Sequence, residues 1–309
     1  MTDSRTMSAN GPRRLGVLLL ASLLLTCSGC TRSAVPLTLV PETSTPGGLA
    51  TPIPPTPTLG SLVINPSGAT YAVVWVLPGE ALPLRQPAGV AGAPVGSLPA
   101  DARGVRLSGN SLYLGSSQWV EVASPGATGW VNSWNLTEDV SPAESCADSR
   151  VPDLLRSFAH AIDNRNGLAL VSLISARRGL VIRHDWWNPE VILPASFIPE
   201  LFVSPTEWEW GMERAGEMPI QGTFPAVMLP LVDDVLGSDP EVTCNSLRAG
   251  TTAETVRWPG EYTNLNFYAY YRPDRQLGTG FSWRTCAIGI EYVDGRPYVA
   301  VLVFFRGEI

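Results

Sequence analysis

The stretch Trp283–Phe305, WRTCAIGIEYVDGRPYVAVLVFF, holds the plainest β signal in the chain. Two strand-like runs, Trp283 to Val293 and Arg296 to Phe305, enclose Asp294-Gly295, a dipeptide that supplies the positive φ angles of a type I′ hairpin turn. On the returning run Tyr298, Ala300, Leu302 and Phe304 alternate with Val299, Val301, Val303 and Phe305. Both sets are apolar, so this strand is expected at the centre of a sheet, covered on two sides.

Upstream, Pro152 and Asp153 suit the first turn of a helix, and Leu154, Leu155, Phe158, Ala159 and Ile162 recur at steps of three and four. Gly167 to Ile174 reads as a short apolar helix and RGLVIRHDWW, from Arg178, as a strand. These pieces predict an α+β domain over 146–309 that ends in the hairpin. Before it, residues 70–138 break into short runs bounded by Gly and Pro, among them YAVVWV, ALPLRQP, QWVEVAS and TGWVNSWNL, the pattern of a small all-β barrel.

Four motifs in that segment stand in a recognisable order: Leu82-Pro83-Leu84-Arg85, Gly96-Ser97-Leu98, Trp119-Val120-Glu121-Val122, and Gly129-Trp130-Val131 through Leu136. The segment resembles the bacterial SH3-like domain of the SH3b type, in which an L-N-V-R turn, a G-x-L strand start, a W-x-x-V strand and a closing G-W-V recur. Pro83 stands where that family carries Asn, and its G-P-G turn has become Pro87-Ala88-Gly89. The resemblance implies a barrel that contacts cell-wall or envelope components. Trp119 and Trp130 are expected in its core, and Trp134, beside Asn132, Ser133 and Asn135, as a candidate ligand contact. Through RHDWWNPEV and IEYVDGRPYV, residues 146–309 resemble the domains that follow SH3b modules in bacterial surface lipoproteins, a resemblance that implies no activity.

At the other end, Arg5, Arg13 and Arg14 precede an apolar run, Leu15 to Leu25, that as a helix is about 17 Å long. A hydrocarbon core of roughly 30 Å needs about twenty apolar residues, so the run reads as a secretory leader. Cys27-Ser28-Gly29-Cys30 resembles the lipobox of bacterial lipoproteins. Cys30, after Ser28 and Gly29, is the expected lipidated residue, with residues 1–29 the signal peptide; Cys27 is the alternative. Acyl chains contribute about 0.8 kcal/mol per buried methylene, and two or more hold a protein stably at a membrane. Residues 30–69, rich in Pro and Thr, read as an extended tether. The expected location is therefore extracytoplasmic, anchored by lipid to the bacterial cell membrane.

With 21 Lys and Arg against 28 Asp and Glu, a formal charge of −7 and no basic run, nucleic acid is excluded as a partner. No phosphate loop or metal-ligand cluster stands out, and no cofactor is implied. The densest chemistry lies at His184, Asp185, Trp186, Trp187 and Glu190, which could stack a sugar and supply an acid and a base; as structure, a tryptophan packs while Asp185 and Asn188 turn the chain before Pro189. Glu207-Trp208-Glu209-Trp210 reads as a strand with tryptophans on one face and glutamates on the other, and His160 falls on the polar side of its helix. Cys146, Cys244 and Cys286 are expected to give one disulfide and one buried thiol; loop length does not choose the pair, and Cys244 with Cys286 is the candidate pairing. The resulting reading is a binding or scaffolding protein for wall glycan or peptide, or for another envelope protein. Its rival is a wall hydrolase that uses carboxylates of the second domain.

Overall fold

The computed structural model describes residues 68–124, 126–213, 218–250, 255–274 and 282–307. The leader, Cys27, Cys30 and nearly all of the tether lie outside them. The fold is mostly β, and none of the sheets formed by the described residues closes into a barrel.

The largest sheet has six strands in the order β12-β13-β14-β15-β8-β9. These are β12 (Glu241–Cys244), β13 (Asn266–Arg272), β14 (Arg284–Val293), β15 (Arg296–Arg306), β8 (Leu180–Arg183) and β9 (Val191–Leu193). The hairpin expected from the sequence is β14–β15, with Asp294 at φ 50° and Gly295 at φ 70° in its turn. β15 is central, antiparallel to β14 and parallel to β8. Its alternation is not strict. Gly289 pairs with Val301 but Ile290 with Val299, leaving Ala300 as an extra residue. This bulge moves Val299 onto the face of Leu302 and Phe304, while Ala300, Val301, Val303 and Phe305 pack on the other.

Helices cover the first face. On α2 (Arg150–Asp163) the buried side chains are Val151, Leu155, Phe158, Ala161 and Ile162, one stripe at helical spacing. They share a core with Phe224, Met228 and Val232 of α4 (Phe224–Leu236), whose Thr223 side chain caps its first turn and which carries Pro230 within it. Asp233 and Asp234 sit on this helix. The short apolar run is α3 (Gly167–Val171). A further helix, α1 (Pro142–Ala147), opens with a capping box in which Ser141 and Glu144 satisfy each other's backbone N–H groups.

Loops and an intruding segment of the N-terminal half cover the second face. Val74, Tyr262, Leu265 and Trp283 are buried there against Ala300, Val301 and Val303. Val74 follows β1 (Tyr71–Val73), which pairs with β7 (Leu136–Glu138). The remaining N-terminal strands form an open sheet in the order β3-β2-β6-β5-β4: β2 (Ala81–Gln86), β3 (Ala93–Pro99), β4 (Arg106–Leu114), β5 (Ser117–Ser124) and β6 (Ala127–Asn132). Only Arg85 and Trp130 join β2 to β6. Its core is aliphatic, built from Leu82, Leu84, Val120, Val122, Val131 and Leu136. The valines take the inner face, so alternation sends Trp119 and Trp130 to the outer one; Trp119 is buried there, as expected, whereas Trp130 is only half-buried.

The two halves belong to one compact unit. Asn264 reaches from the C-terminal half to the Val73 carbonyl at 2.8 Å, and the Trp75 N–H donates to the Glu261 carbonyl at 2.7 Å. The disulfide corrects the candidate pairing of Cys244 with Cys286: Cys146 is bonded to Cys244, their Cα atoms 5.8 Å apart, and Cys286 is a buried free thiol. Cys244 and Cys286 flank β13 on different strands, and Tyr270 rather than Cys244 lies opposite Cys286 in its register, so these two cannot meet without moving the sheet.

Peptide mapping without reductant is expected to recover Cys146 linked to Cys244, with Cys286 alkylated only after unfolding. Because the bond closes a loop of 98 residues, Cys146→Ser is expected to cost about 2–5 kcal/mol in urea unfolding. A peptide linked through Cys286 would refute the assignment.

Candidate binding site

A tight turn between α3 and β8 presents Arg177 and Arg178. The Gly179 N–H donates to the Ser175 carbonyl at 2.7 Å, and the Arg178 N–H to the Ser175 hydroxyl at 3.2 Å. Gly179 has φ +71°, and a Cβ there would lie 2.0 Å from the Leu193 carbonyl oxygen, so no other residue fits. The turn sends the two guanidinium groups different ways.

Arg178 points inward and is fully buried. Its guanidinium carbon lies 4.1 Å from the Trp75 ring centroid and 5.1 Å from that of Trp134. It donates to the carbonyls of Leu136, at 2.7 Å, and Trp134, and its Nε lies 3.1 Å from an oxygen of Glu291. Burial lowers its pKa to about 10, opposed by Glu291, so it stays cationic at neutral pH. Burial alone would raise Glu291, but Arg178 and Arg177 outweigh it and hold the carboxyl below its ordinary value. Trp75 has φ 57°, a conformation costing on the order of 1–3 kcal/mol for a bulky residue. Its contacts hold it there: the ring over Arg178, and its Nε1–H donating to Glu190 at 3.0 Å.

Arg177 turns the other way, to the rim of a cleft of about 670 Å³ between the N-terminal sheet and the tip of the β14–β15 hairpin. Its guanidinium is already engaged by Glu291 and by the carbonyls of Ser133 and Leu136, each at 3.0 Å. Trp134, on a single helical turn Ser133–Asn135 whose N–H is capped by Asn132 at 3.0 Å, lines the cleft while covering Arg178 behind it. Tyr71, Tyr113, Gln118, Glu138 and Asp294 complete the working surface. Of the candidate ligand contacts expected from the sequence, Trp134 is therefore at this cleft.

The other candidates are not. His184 is 7% exposed, and no hydrogen-bond partner for its Nδ1 lies among the described residues. Asp185 is 2% exposed and paired with Arg306 at 3.1 Å. The Asn188 N–H donates to the Asp185 carbonyl at 3.0 Å, so Asp185 and Asn188 do form the turn before Pro189. Asn188 then brackets Met212 with two hydrogen bonds, and a Cβ on Gly211, at φ +121°, would lie 2.4 Å from it. Trp186 packs at the edge of the second-face core, and Trp187 is half-buried. Glu190 is held inside by Trp75 and the Tyr262 hydroxyl, whose pKa burial and Glu190 push far up.

Glu207 and Glu209 are exposed at β10 (Trp208–Met212), with Trp208 and Trp210 packed on the opposite face, as the alternation predicts. None of Asp185, Glu190, Glu207 and Glu209 lines this cleft or a smaller one beside Glu80 and Asp101. His160 is exposed against Asn164. Among the described residues no group of three or more His, Cys, Asp or Glu is placed to hold a metal, and no helix is long and apolar enough to cross a membrane. No protein-family model, curated protein or solved structure matches the chain.

Glu291→Gln leaves Arg178 buried beside a neutral group and is expected to destabilise by about 3–5 kcal/mol in urea unfolding. The double variant Arg178→Met, Glu291→Leu is expected to cost less than the sum of the single changes; additive losses would show that the two charges do not act as a pair.

Acid titration tests His184. Burial, then repulsion by Arg306, lowers its pKa to about 4, so on acidification the unfolded chain takes up this proton first. The stability it contributes is complete above about pH 6.5 and is lost as the pH falls through about 4, at most about 3 kcal/mol. His184→Gln is expected to flatten melting temperature against pH in that window, and an unchanged slope would refute the assignment.

Proposed function

We propose that the chain is a lipid-anchored protein of the bacterial cell envelope that binds or scaffolds and does not transform its ligand. In this reading residues 1–29 are a lipoprotein signal peptide, Cys30 carries the lipid, and 30–69 are a tether. Residues 70–138 are an SH3-like module and 146–309 an α+β domain. The module's own aliphatic core, drawn from Val73 to Leu136, supports that division. The Cys146–Cys244 bond supports an oxidising compartment, where disulfides persist.

The observation that carries the binding role is the cleft at Trp134. Its volume is in the range of small-molecule sites, and it combines aromatic surface with the Gln118 and Asn132 amides, the combination by which apolar ring faces and hydroxyls of a wall glycan or peptide are held. Catalysis has no comparable support, because the carboxylates that a hydrolase would use engage partners elsewhere or face solvent.

Full-length protein is expected to be retained by isolated cell wall and to release no product from labelled wall fragments. Tyr113→Ala, at a side chain 51% exposed on the cleft, is expected to weaken retention about two- to tenfold without loss of stability. Mass spectrometry of the mature amino terminus is expected to find an acylated Cys30. Product release, or an intact unacylated leader, would overturn the reading.

A further inference from the structure

We propose that the cleft selects an amino sugar whose ring nitrogen substituent is a free, positively charged amine. The proposal rests on the cleft being a binding site and names its ligand class.

Two carboxylates line one end. Glu138 ends β7, opposite Tyr71 on β1, and Asp294 is the first residue of the hairpin turn. The turn is drawn to Glu138 by the Gly295 N–H, which donates to its Oε2 at 2.9 Å. Neither carboxylate has an ion-pair partner among the described residues, and Asp294 is exposed at the mouth. Arg177 is the one cation among the described lining residues, and its charge is engaged by Glu291 and two carbonyls. Arg296, two residues after Asp294, does not line the cleft. The end of the cleft at Glu138 and Asp294 therefore carries negative charge that no free cation among the described lining residues balances, inside a concavity where screening is weaker than on open surface. An ammonium group offsets that charge; an acetylated nitrogen does not.

The remainder of the lining argues for a ring on that amine. Tyr113 and Trp134 offer flat aromatic surface, and Gln118, Ser117 and Asn132 offer hydrogen-bonding groups to hydroxyls. A flexible alkylamine has no use for either.

Calorimetry with glucosamine oligomers and N-acetylglucosamine oligomers of equal length isolates the amine, since the pair differ only in the acetyl group. The unacylated oligomer is expected to bind about tenfold more tightly at neutral pH. Glu138→Gln keeps the acceptor for Gly295, and Asp294→Asn keeps a residue at home in the same turn, so both variants should fold. Each is expected to reduce the preference about threefold, the effect of one partly exposed ion pair. Glu209→Gln, exposed on β10, controls for net charge and is expected to leave the preference unchanged. Equal binding of the two oligomers, with both weakened by Tyr113→Ala, keeps the cleft as a site and overturns selection for the amine. A preference that survives Glu138→Gln and Asp294→Asn overturns it as well. Trilysine binding as tightly as the amino sugar overturns the requirement for a ring. If neither oligomer binds, the amino-sugar proposal fails; retention on cell wall that is still sensitive to Tyr113→Ala then shows the broader reading standing without it.

Discussion

A guanidinium with no access to water has to be matched on every side, and Arg178 is matched only because residues distant in sequence converge on it. Trp75 and Trp134 come from the N-terminal half, Glu291 from β14, and the carbonyls of Trp134 and Leu136 from the segment that ends the N-terminal sheet. A cation–π contact that excludes water contributes about 2 kcal/mol, and an unpaired buried charge costs more than that. The arrangement thus acts as a fit test between the halves. If the N-terminal sheet were displaced, Arg178 would lose both rings and both carbonyls together. The positive φ of Trp75 belongs to the same constraint, a local strain tolerated because the ring, the indole N–H and the backbone N–H are all engaged at once.

Local rules made much of the fold legible. Asp294-Gly295 announces the hairpin, and the apolar stripe of α2 announces its buried face, because both signals are complete within a dozen residues. The capping box at Ser141 and Glu144 is equally local, an S-x-x-E pattern, yet α1 was not among the expected elements. The bulge at Ala300 was not legible: alternation in sequence continues through it, and the extra residue exists only relative to β14. The disulfide was hidden for a related reason. Loop length barely separates the possible pairings, and the choice was made by strand register, which puts β13 between Cys244 and Cys286.

The site divides along the same line. Trp134, flanked by short polar residues, was readable as a partly exposed side chain because nothing around it completes an apolar pattern. His184, Asp185 and Glu190 looked dense in sequence, yet a strand end followed by a turn sends them to separate partners. Arg177 and Arg178 attracted no attention, being adjacent cations without a local carboxylate. Their partners lie at 133–136 and 291, and only the Ser175–Gly179 turn gives neighbouring side chains opposite destinations. Trp130 shows the converse: a large aromatic suggests a core, but the valines beside it take the inner face and it stays half-buried, whereas Trp119 is buried as its residue type suggests.

The brevity of β1 has a mechanical corollary. Tyr71–Val73 is laddered to β7 on one side and hydrogen-bonded to Val105 and Ala102 on the other, and the next two positions are Val74 in the second-face core and Trp75 over Arg178. Tension applied at β1 is therefore shared between these short pairings within the N-terminal half and the interlock of indole and guanidinium that follows them. A sustained pull there loads both halves at once, through their seam.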